Sequence, residues 1–413
     1  MSAATSGPRG SRTRGAGLLI VGLLLVALNL RFALTGVGPL VDDIRRDTAL
    51  SGTAVGLLST APLLALGLVS PFAPRLAARF GAEQVIFGCM LVIAAGVLLR
   101  WLPPVALLFA GSVLAGCAIA IGNVLMPGIV KRRFADRAAL MTGVYSAGLS
   151  VGGSLSAGLA VPIEDAFNGN WHIALAIWAL PALVAAVAWL PQLRVWRPAA
   201  TSVSPPARPA VSLWRDRRAW AVTVFMGLQS LIYYAGAAWL PSILQDRGLS
   251  DGAAGGLLSI VLIVGIPFGL ATAALSGRMR NQGVLAVVSC MLPVIGWLGL
   301  LLGPDALAVP ATVVLGIGVS TAFPLALTLI VLRGRDARQT AALSSMAQTF
   351  GYTVAALGPL SVGALHDVSG GWSLPLVVLI ALVIPELIAA LVASRPGFVG
   401  ERACQPAAPA PAG

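Results

Sequence analysis

An all-α membrane protein of twelve transmembrane helices, arranged as two six-helix bundles, is the fold class this sequence predicts. Three observations predict it. The chain is 58% hydrophobic and only 10% charged, which leaves too little polar surface to face water on all sides. Apolar stretches of about twenty residues recur along its length, each long enough to cross a hydrocarbon core of roughly 30 Å. Basic residues concentrate in alternate connections between those stretches, as they do when one side of a membrane is cytoplasmic.

The expected spans are 16–38, 53–72, 84–102, 104–129, 139–161, 172–190, 219–241, 253–275, 283–302, 307–332, 340–365 and 372–393. With the amino terminus in the cytoplasm, 22 of the 27 Lys and Arg residues fall in inside segments and four (Arg45, Arg46, Arg100 and Arg247) in outside ones. A missed helix would scramble that alternation, so it also checks the span count. Both termini are expected to be cytoplasmic in a bacterial inner (plasma) membrane protein. The boundaries that follow are a tail at 1–15, a bundle at 16–190, a linker at 191–218, a second bundle at 219–393 and a tail at 394–413. The linker reading rests on Ser202, Ser204, Pro205, Pro206 and Pro209, a composition suited to extended chain. Arg9, Arg12 and Arg14 before the first apolar run resemble the opening of a signal peptide. The run continues past Asn29 and Arg31 with no small-residue cleavage site, which predicts a retained helix.

Several function classes are disfavoured. The net charge of +12 is spread over short loops with no basic groove or aromatic platform, so nucleic acid is not an expected partner. Cys89, Cys117, Cys290 and Cys404 show no metal or redox spacing, and no metal or cofactor is expected. There is no glycine loop with a lysine of the ATP-binding type. A membrane enzyme would need paired acids or a histidine cluster; His172 and His366 instead stand singly at helix ends. The expected partners are a small-molecule substrate and the lipid bilayer, with the chain acting as a monomer.

Polar residues inside apolar spans carry the functional signal, because lipid offers them no partners. Arg31 is the foremost, a cation expected to face a central cavity and attract an anionic or dipolar solute; capping of nearby carbonyls around Gly36, Gly38 and Pro39 is its other reading. Asn29 points to another side of the helix, and Thr35 shares the face of Arg31. Asn123 lies four residues before Pro127, which frees a backbone carbonyl at mid-membrane. Tyr145, Gln229, Tyr233, Phe323 and Gln348 complete the candidate binding set; Gln348 stands at the position in the second half that corresponds to Tyr145. Pro39, Pro127, Pro241 and Pro324 are expected helix breaks. Glu386 is the only acid within a span and reads as a residue near the cytoplasmic end rather than a proton site. With no titratable group evident near the cavity, uniport or exchange is expected rather than proton coupling.

A parallel echo joins the halves. Ala138-Ala139-Leu140 followed by Gly148 matches Ala341-Ala342-Leu343 followed by Gly351 at the same offset, and upstream Pro127 and Pro324 fall within the fourth and tenth spans, as duplicated six-helix units would. Asn29-Leu30-Arg31 with Gly36-Val37-Gly38-Pro39-Leu40, then Gly122 through Pro127, then Gln229-Ser230, Tyr233-Tyr234 and Trp239-Leu240-Pro241, resemble the cyanate-permease and 2-nitroimidazole-transporter family of the major facilitator superfamily. The resemblance covers the chain outside its tails. It implies the major facilitator fold and carriage of a small anionic or polar heterocyclic solute by alternating access. Drug efflux is the alternative; it would favour a buried carboxylate and is disfavoured by Arg31. The superfamily's loop signature after the second span is partial: Leu76, Ala77, Arg79 and Gly81 match, which implies a conformational role for Arg79 and Gly81. Ala78 replaces the acid that normally latches the halves, Ala82 and Glu83 replace the basic pair, and Ser112 stands near the place of the superfamily's fourth-helix arginine.

Overall fold

The structure is a computed structural model of the chain, described for residues 9–48, 50, 52–193 and 213–400. The first apolar run forms α1 (Arg9–Thr35), which ends three residues short of the expected boundary, ahead of Gly36, Gly38 and Pro39. A short helix not anticipated from the sequence follows, α2 (Val41–Thr48). It buries Ile44 and offers Asp47 to the indole N–H of Trp171 at 2.8 Å. Next come α3 (Gly52–Val69) and α4 (Ala73–Phe80). Gly81 ends α4 at φ 91°, a left-handed conformation that side chains resist, and α5 (Ala82–Leu99) starts there in a new direction. The long helices α6 (Val105–Arg133) and α7 (Ala138–Ala166) have 29 residues each, about 44 Å at 1.5 Å per residue, enough for the whole bilayer.

The expected span 172–190 is two helices, α8 (Trp171–Ala176) and α9 (Ala179–Leu193). Pro181 accounts for the interruption, since its ring clashes with the carbonyl four residues back, at Ile177. Residues 194–212, the greater part of the expected linker, lie outside the described residues, as do 1–8 and 401–413 of the tails. The chain resumes in α10 (Arg217–Asp246), α11 (Asp251–Arg278), α12 (Gly283–Leu302) and α13 (Ala308–Arg333). The expected span 340–365 also divides, into α14 (Ala337–Ala355) and α15 (Leu357–Ser369), because Pro359 supplies no N–H to Ala355. The last helix is α16 (Ser373–Ser394). Among the described residues nine helical stretches are by themselves long and apolar enough to cross a membrane. The other three expected spans correspond to α3, α11 and the α14–α15 pair.

The expected breaks at Pro127, Pro241 and Pro324 are not breaks. Helices α6, α10 and α13 run on through these prolines, and α10 continues five residues past Pro241. Only Pro39 stands at a helix end. A proline is tolerated within a membrane helix where a neighbour re-satisfies the carbonyl it frees, and α6 shows such a neighbour below.

Packing sorts the helices. Helix α1 packs on α7 and α9, α5 on α6 and α9, and α3 on α6; later in the chain α10 packs on α14 and α16, α12 on α13 and α16, and α11 on α13. The groups meet through α7 with α11, α6 with α14 and α3 with α14. At the end carrying the basic loops, each group has a matching clasp. Glu83 at the start of α5 accepts from Arg132 and Arg133 at the end of α6, at 2.5 and 2.8 Å. Gln282, just before α12, accepts from Arg333 at the end of α13, whose other N–H groups reach Ala393 O at 2.8 Å and Ser394 O at 2.9 Å.

The α1–α7 seam depends on Gly152. A Cβ there would sit 2.5 Å from Leu28 O and 2.9 Å from Leu28 Cα, so any side chain forces the helices apart. Gly152→Val should destabilise the protein by about 2 kcal/mol or more, measured as a lowered midpoint of thermal unfolding in detergent.

Candidate functional site

A cavity of about 160 Å³ lies where α1, α7, α10, α13 and α14 converge. Helix α1 contributes Arg31 and Thr35, and α7 presents the small residues Ser150 and Gly153. Gln229, Ser230, Tyr233 and Tyr234 come from α10, Phe323 and Pro324 from α13, and Tyr352 from α14. Arg31 projects from one helix group toward Phe323 of the other, its guanidinium carbon 5.9 Å from the ring centre, within cation–π range. Tyr234, Tyr233 and Tyr352 are its electrostatic neighbours. Among the described residues no carboxylate pairs with it. Tyr233 and Tyr234 meet edge to face at 5.2 Å. The cavity therefore combines one uncompensated cation with several flat aromatic faces.

The last turn of α1, which aims Arg31, is fastened by three hydrogen bonds, two to α7 and one from Arg100 at the end of α5. Thr35 Oγ1 donates to Gly153 O at 3.0 Å, and Ser156 Oγ donates to Phe32 O at 2.7 Å. Arg100 donates to Ala33 O at 2.7 Å. Arg100 is expected from the sequence to lie in an outer loop; it is 2% exposed instead. The final carbonyls of a helix lack intrahelical donors and carry the negative end of its dipole, which gives a guanidinium reason to be there.

Below the cavity, toward the basic end, lies a polar layer. Tyr145 donates its hydroxyl to Asn123 Oδ1 at 2.8 Å, joining α7 to α6. Gln348 Nε2 on α14 donates to the backbone oxygen of Asn123 at 3.0 Å and to Ser344 Oγ at 2.8 Å. That backbone oxygen would ordinarily accept from the N–H of residue 127, but residue 127 is proline. So Pro127 frees an acceptor in α6, and the opposite helix group supplies its donor. One turn nearer the basic end, Ser345 Oγ donates to Ser70 O at 2.9 Å, a second bond between the groups.

The candidate residues thus separate by place. Arg31, Thr35, Gln229, Tyr233 and Phe323 line the cavity. Asn123, Tyr145 and Gln348 form the layer beneath it. Asn29 reaches neither: its amide donates to Leu25 O at 2.8 Å and Pro181 O at 3.1 Å, tying α1 to α9. Gln229 lines the wall with its amide already engaged by Met226 O and Ser230 Oγ. Tyr234, Tyr352 and Ser230 were missing from the candidate set. Tyr352 follows Gln348 by one turn and Tyr234 follows Ser230 by one turn, a spacing that signalled a shared face. Glu386 is buried and is not part of the cavity lining. Arg79 lies over the ring of Phe80 at 5.2 Å, beside the turn at Gly81.

Residues 23–359 match the sequence model of the Major Facilitator Superfamily. The chain belongs to this superfamily. Within it, a 2-nitroimidazole transporter of Escherichia coli (strain K12) is 40% identical over 92% of this chain and 95% of its own. The cyanate transport protein CynX of the same organism is 31% identical over 86% and 91%. An uncharacterized transporter, YycB of Bacillus subtilis (strain 168), is 38% identical over 89% and 90%. These relatives place the chain in the cyanate-permease and 2-nitroimidazole-transporter branch of the superfamily. Among solved structures, the proton:xylose symporter XylE superposes with TM-score 0.72 at 12% identity, over 91% of this chain and 95% of that one. The fucose transporter FucP in its outward conformation gives 0.70 at 14%, over 92% and 99%. That likeness shows the twelve-helix major facilitator fold. The chain is a multi-pass membrane transporter of small molecules, not an enzyme.

The Asn123–Gln348 bond exists because residue 127 has no N–H, which a double-mutant cycle can test. Gln348→Leu should cost about 1–3 kcal/mol of stability by leaving the carbonyl bare. In a Pro127→Ala background, with the N–H restored, most of that cost should vanish. Thermal unfolding of the four proteins measures the coupling; additive effects would show that Gln348 acts elsewhere.

Proposed function

We propose that this transporter carries small planar solutes bearing an anionic or strongly accepting group, of the cyanate and nitroimidazole kind, by alternating access. The observation that carries this reading is Arg31, a cation at the cavity wall with phenols and a phenyl ring around it and no carboxylate. An arginine stays charged in proteins, and a charge held away from water costs several kcal/mol unless something compensates it. A solute with a carboxylate, cyanate or nitro oxygen supplies that compensation through a charge-assisted hydrogen bond. Size supports the same class: an apolar cavity of roughly 150 Å³ accepts a benzene-sized guest, and this one is about 160 Å³. Phe323 and Tyr233 give a flat ring two faces to lie against.

In the proposed cycle the bundles 16–190 and 219–393 rock about this site, and the linker 191–218 joins them on the cytoplasmic side. The positive-inside rule puts the basic loops in the cytoplasm of a bacterial cell, with both termini there and the chain working as a monomer in the bilayer. The polar layer from Ser70 to Gln348 then closes the cytoplasmic path, and its two inter-bundle hydrogen bonds break when the site turns inward. Asn123, Tyr145 and Gln348 serve as the floor of the site, Asn29 as a brace for α1, and the Arg79–Gly81 turn as the hinge between α4 and α5. With Glu386 outside the cavity lining, transport is uniport or exchange.

Uptake into proteoliposomes of labelled cyanate or 2-nitroimidazole tests the reading. Arg31→Gln should lower kcat/KM about 30- to 100-fold, the loss of one charge-assisted bond of roughly 2–3 kcal/mol, while the variant stays monodisperse. Undiminished uptake would falsify the role given to Arg31. Collapsing an imposed proton gradient should leave initial rates unchanged; a fall in step with the gradient would refute uniport.

A further inference from the structure

Residues 395–400 leave α16 at the basic end and are bound down along the second helix group. Gly397, at φ 113°, makes a turn that side chains resist. The N–H of Val399 donates to Arg333 O at 3.0 Å, and Val399 O accepts from the Gln339 side chain at 3.2 Å. Arg218 donates to Pro396 O at 3.0 Å and to Phe398 O at 2.8 Å. The N–H of Gly400 donates at 2.6 Å to one carboxylate oxygen of Asp216, whose other oxygen caps α10. The segment is thus tied to the ends of α10, α13 and α14, with Val399 buried. Every one of these partners belongs to the second group.

The ring of Phe398 reaches the first group. Lys131, near the end of α6, holds its ammonium 5.8 Å from the ring centre, and Arg335, between α13 and α14, holds its guanidinium carbon 6.0 Å from the same centre. Both lie within cation–π range. One like charge from each group therefore meets on a single aromatic ring, whose attraction for each offsets their mutual repulsion. Asp336 is a further electrostatic neighbour of Lys131. The helices are in close contact here: a Cβ on Gly128 of α6 would sit 3.0 Å from Ala337 O of α14. The segment is mounted firmly on one group and grips the other across a seam that must part whenever the basic end opens. We propose, on the alternating-access reading given above and independently of the solute, that residues 395–400 are a strap: through the Lys131–Phe398 contact it holds the basic end shut and biases the carrier toward the opposite-facing state.

Electron–electron double-resonance distances across the basic end read that bias. Spin labels replace Arg75 of α4 and Arg280 between α11 and α12, both exposed. The full chain is used, with Cys89, Cys117, Cys290 and Cys404 changed to alanine, in nanodiscs without solute. Phe398→Ala should raise the ratio of open (long-distance) to shut molecules about two- to fivefold, the loss of one cation–π contact. Lys131→Gln should raise it at least as much, and adding Phe398→Ala to it should change little, since the two residues act through one contact. Phe398→Tyr should keep the wild-type ratio. Phe398→Leu, which keeps apolar bulk without the π face, should open as Phe398→Ala does. Wild-type distances in both Phe398→Ala and Lys131→Gln, or additive effects of the two, overturn the strap, and so does a Phe398→Leu variant that stays shut. If Phe398→Ala does not yield folded protein, Lys131→Gln and Phe398→Leu decide. Undiminished uptake by Arg31→Gln would remove the anion reading without altering these distances, so the strap and the solute site fail separately.

Discussion

Arg31 brings a permanent positive charge into a region where water is scarce, and the protein meets that charge only halfway. Phe323 offers its π face, and the phenols of Tyr233, Tyr234 and Tyr352 stand close by. These are dipoles and quadrupoles rather than a counter-ion, each worth a fraction of what a carboxylate would give. A cavity built this way is stable enough to exist and still gains from a negative guest. Had the chain placed an aspartate opposite Arg31, the pair would neutralise itself and the solute would have to displace it. The partial compensation is shared between helix groups, with Arg31 on α1 and its aromatic partners on α10, α13 and α14. On the proposed reading, a bound solute therefore acts across the seam between the groups.

A second constraint shapes everything around that cation. Backbone groups within a hydrocarbon layer must find partners inside the protein, and the chain repeatedly uses this to fix geometry. The end of α1 leaves carbonyls that Ser156 and Arg100 take up, and this pins the turn that carries Arg31. Gly152 lets α7 come close enough for Ser156 and the carbonyl of Gly153 to reach that turn. Pro127 leaves a carbonyl on α6 that Gln348 takes up, and this joins the groups beneath the cavity. One kind of unmet backbone demand thus positions the charged group and also closes the floor under it.

Much of the fold could be read from the sequence because its main determinant is one-dimensional. Hydrophobic length and the alternation of basic loops locate spans without knowledge of packing, and Arg31 and Phe323 stood out as residues that lipid would not tolerate or a solute would want. What escaped was set by proximity between distant segments. Arg100 looked like a loop residue because its partner, Ala33 O, is 67 positions away. Asn29 looked like a ligand because nothing local showed that Pro181 O would be within reach. Pro127, Pro241 and Pro324 looked like breaks because a proline's effect depends on who answers the carbonyl it frees. Tyr352 lies one helical turn beyond the candidate Gln348, and Tyr234 one turn beyond Ser230, so spacing alone carries the signal for both. The interruptions at Ile177 and Ala356 follow from prolines that were visible all along, but whose local cost a hydropathy window averages away.

The carbonyl of Asn123 carries a last consequence. Residue 127 can never supply it with an N–H, whatever the conformation of α6, so its requirement for a donor persists through every state the molecule visits. In the proposed cycle, when α14 withdraws and Gln348 leaves, solvent takes its place. Hydration of the seam is then a stoichiometric part of the conformational change rather than its by-product: at least one water enters as the floor opens and must be expelled before it can shut. The activity of water itself thereby becomes a thermodynamic lever on the direction in which the carrier faces.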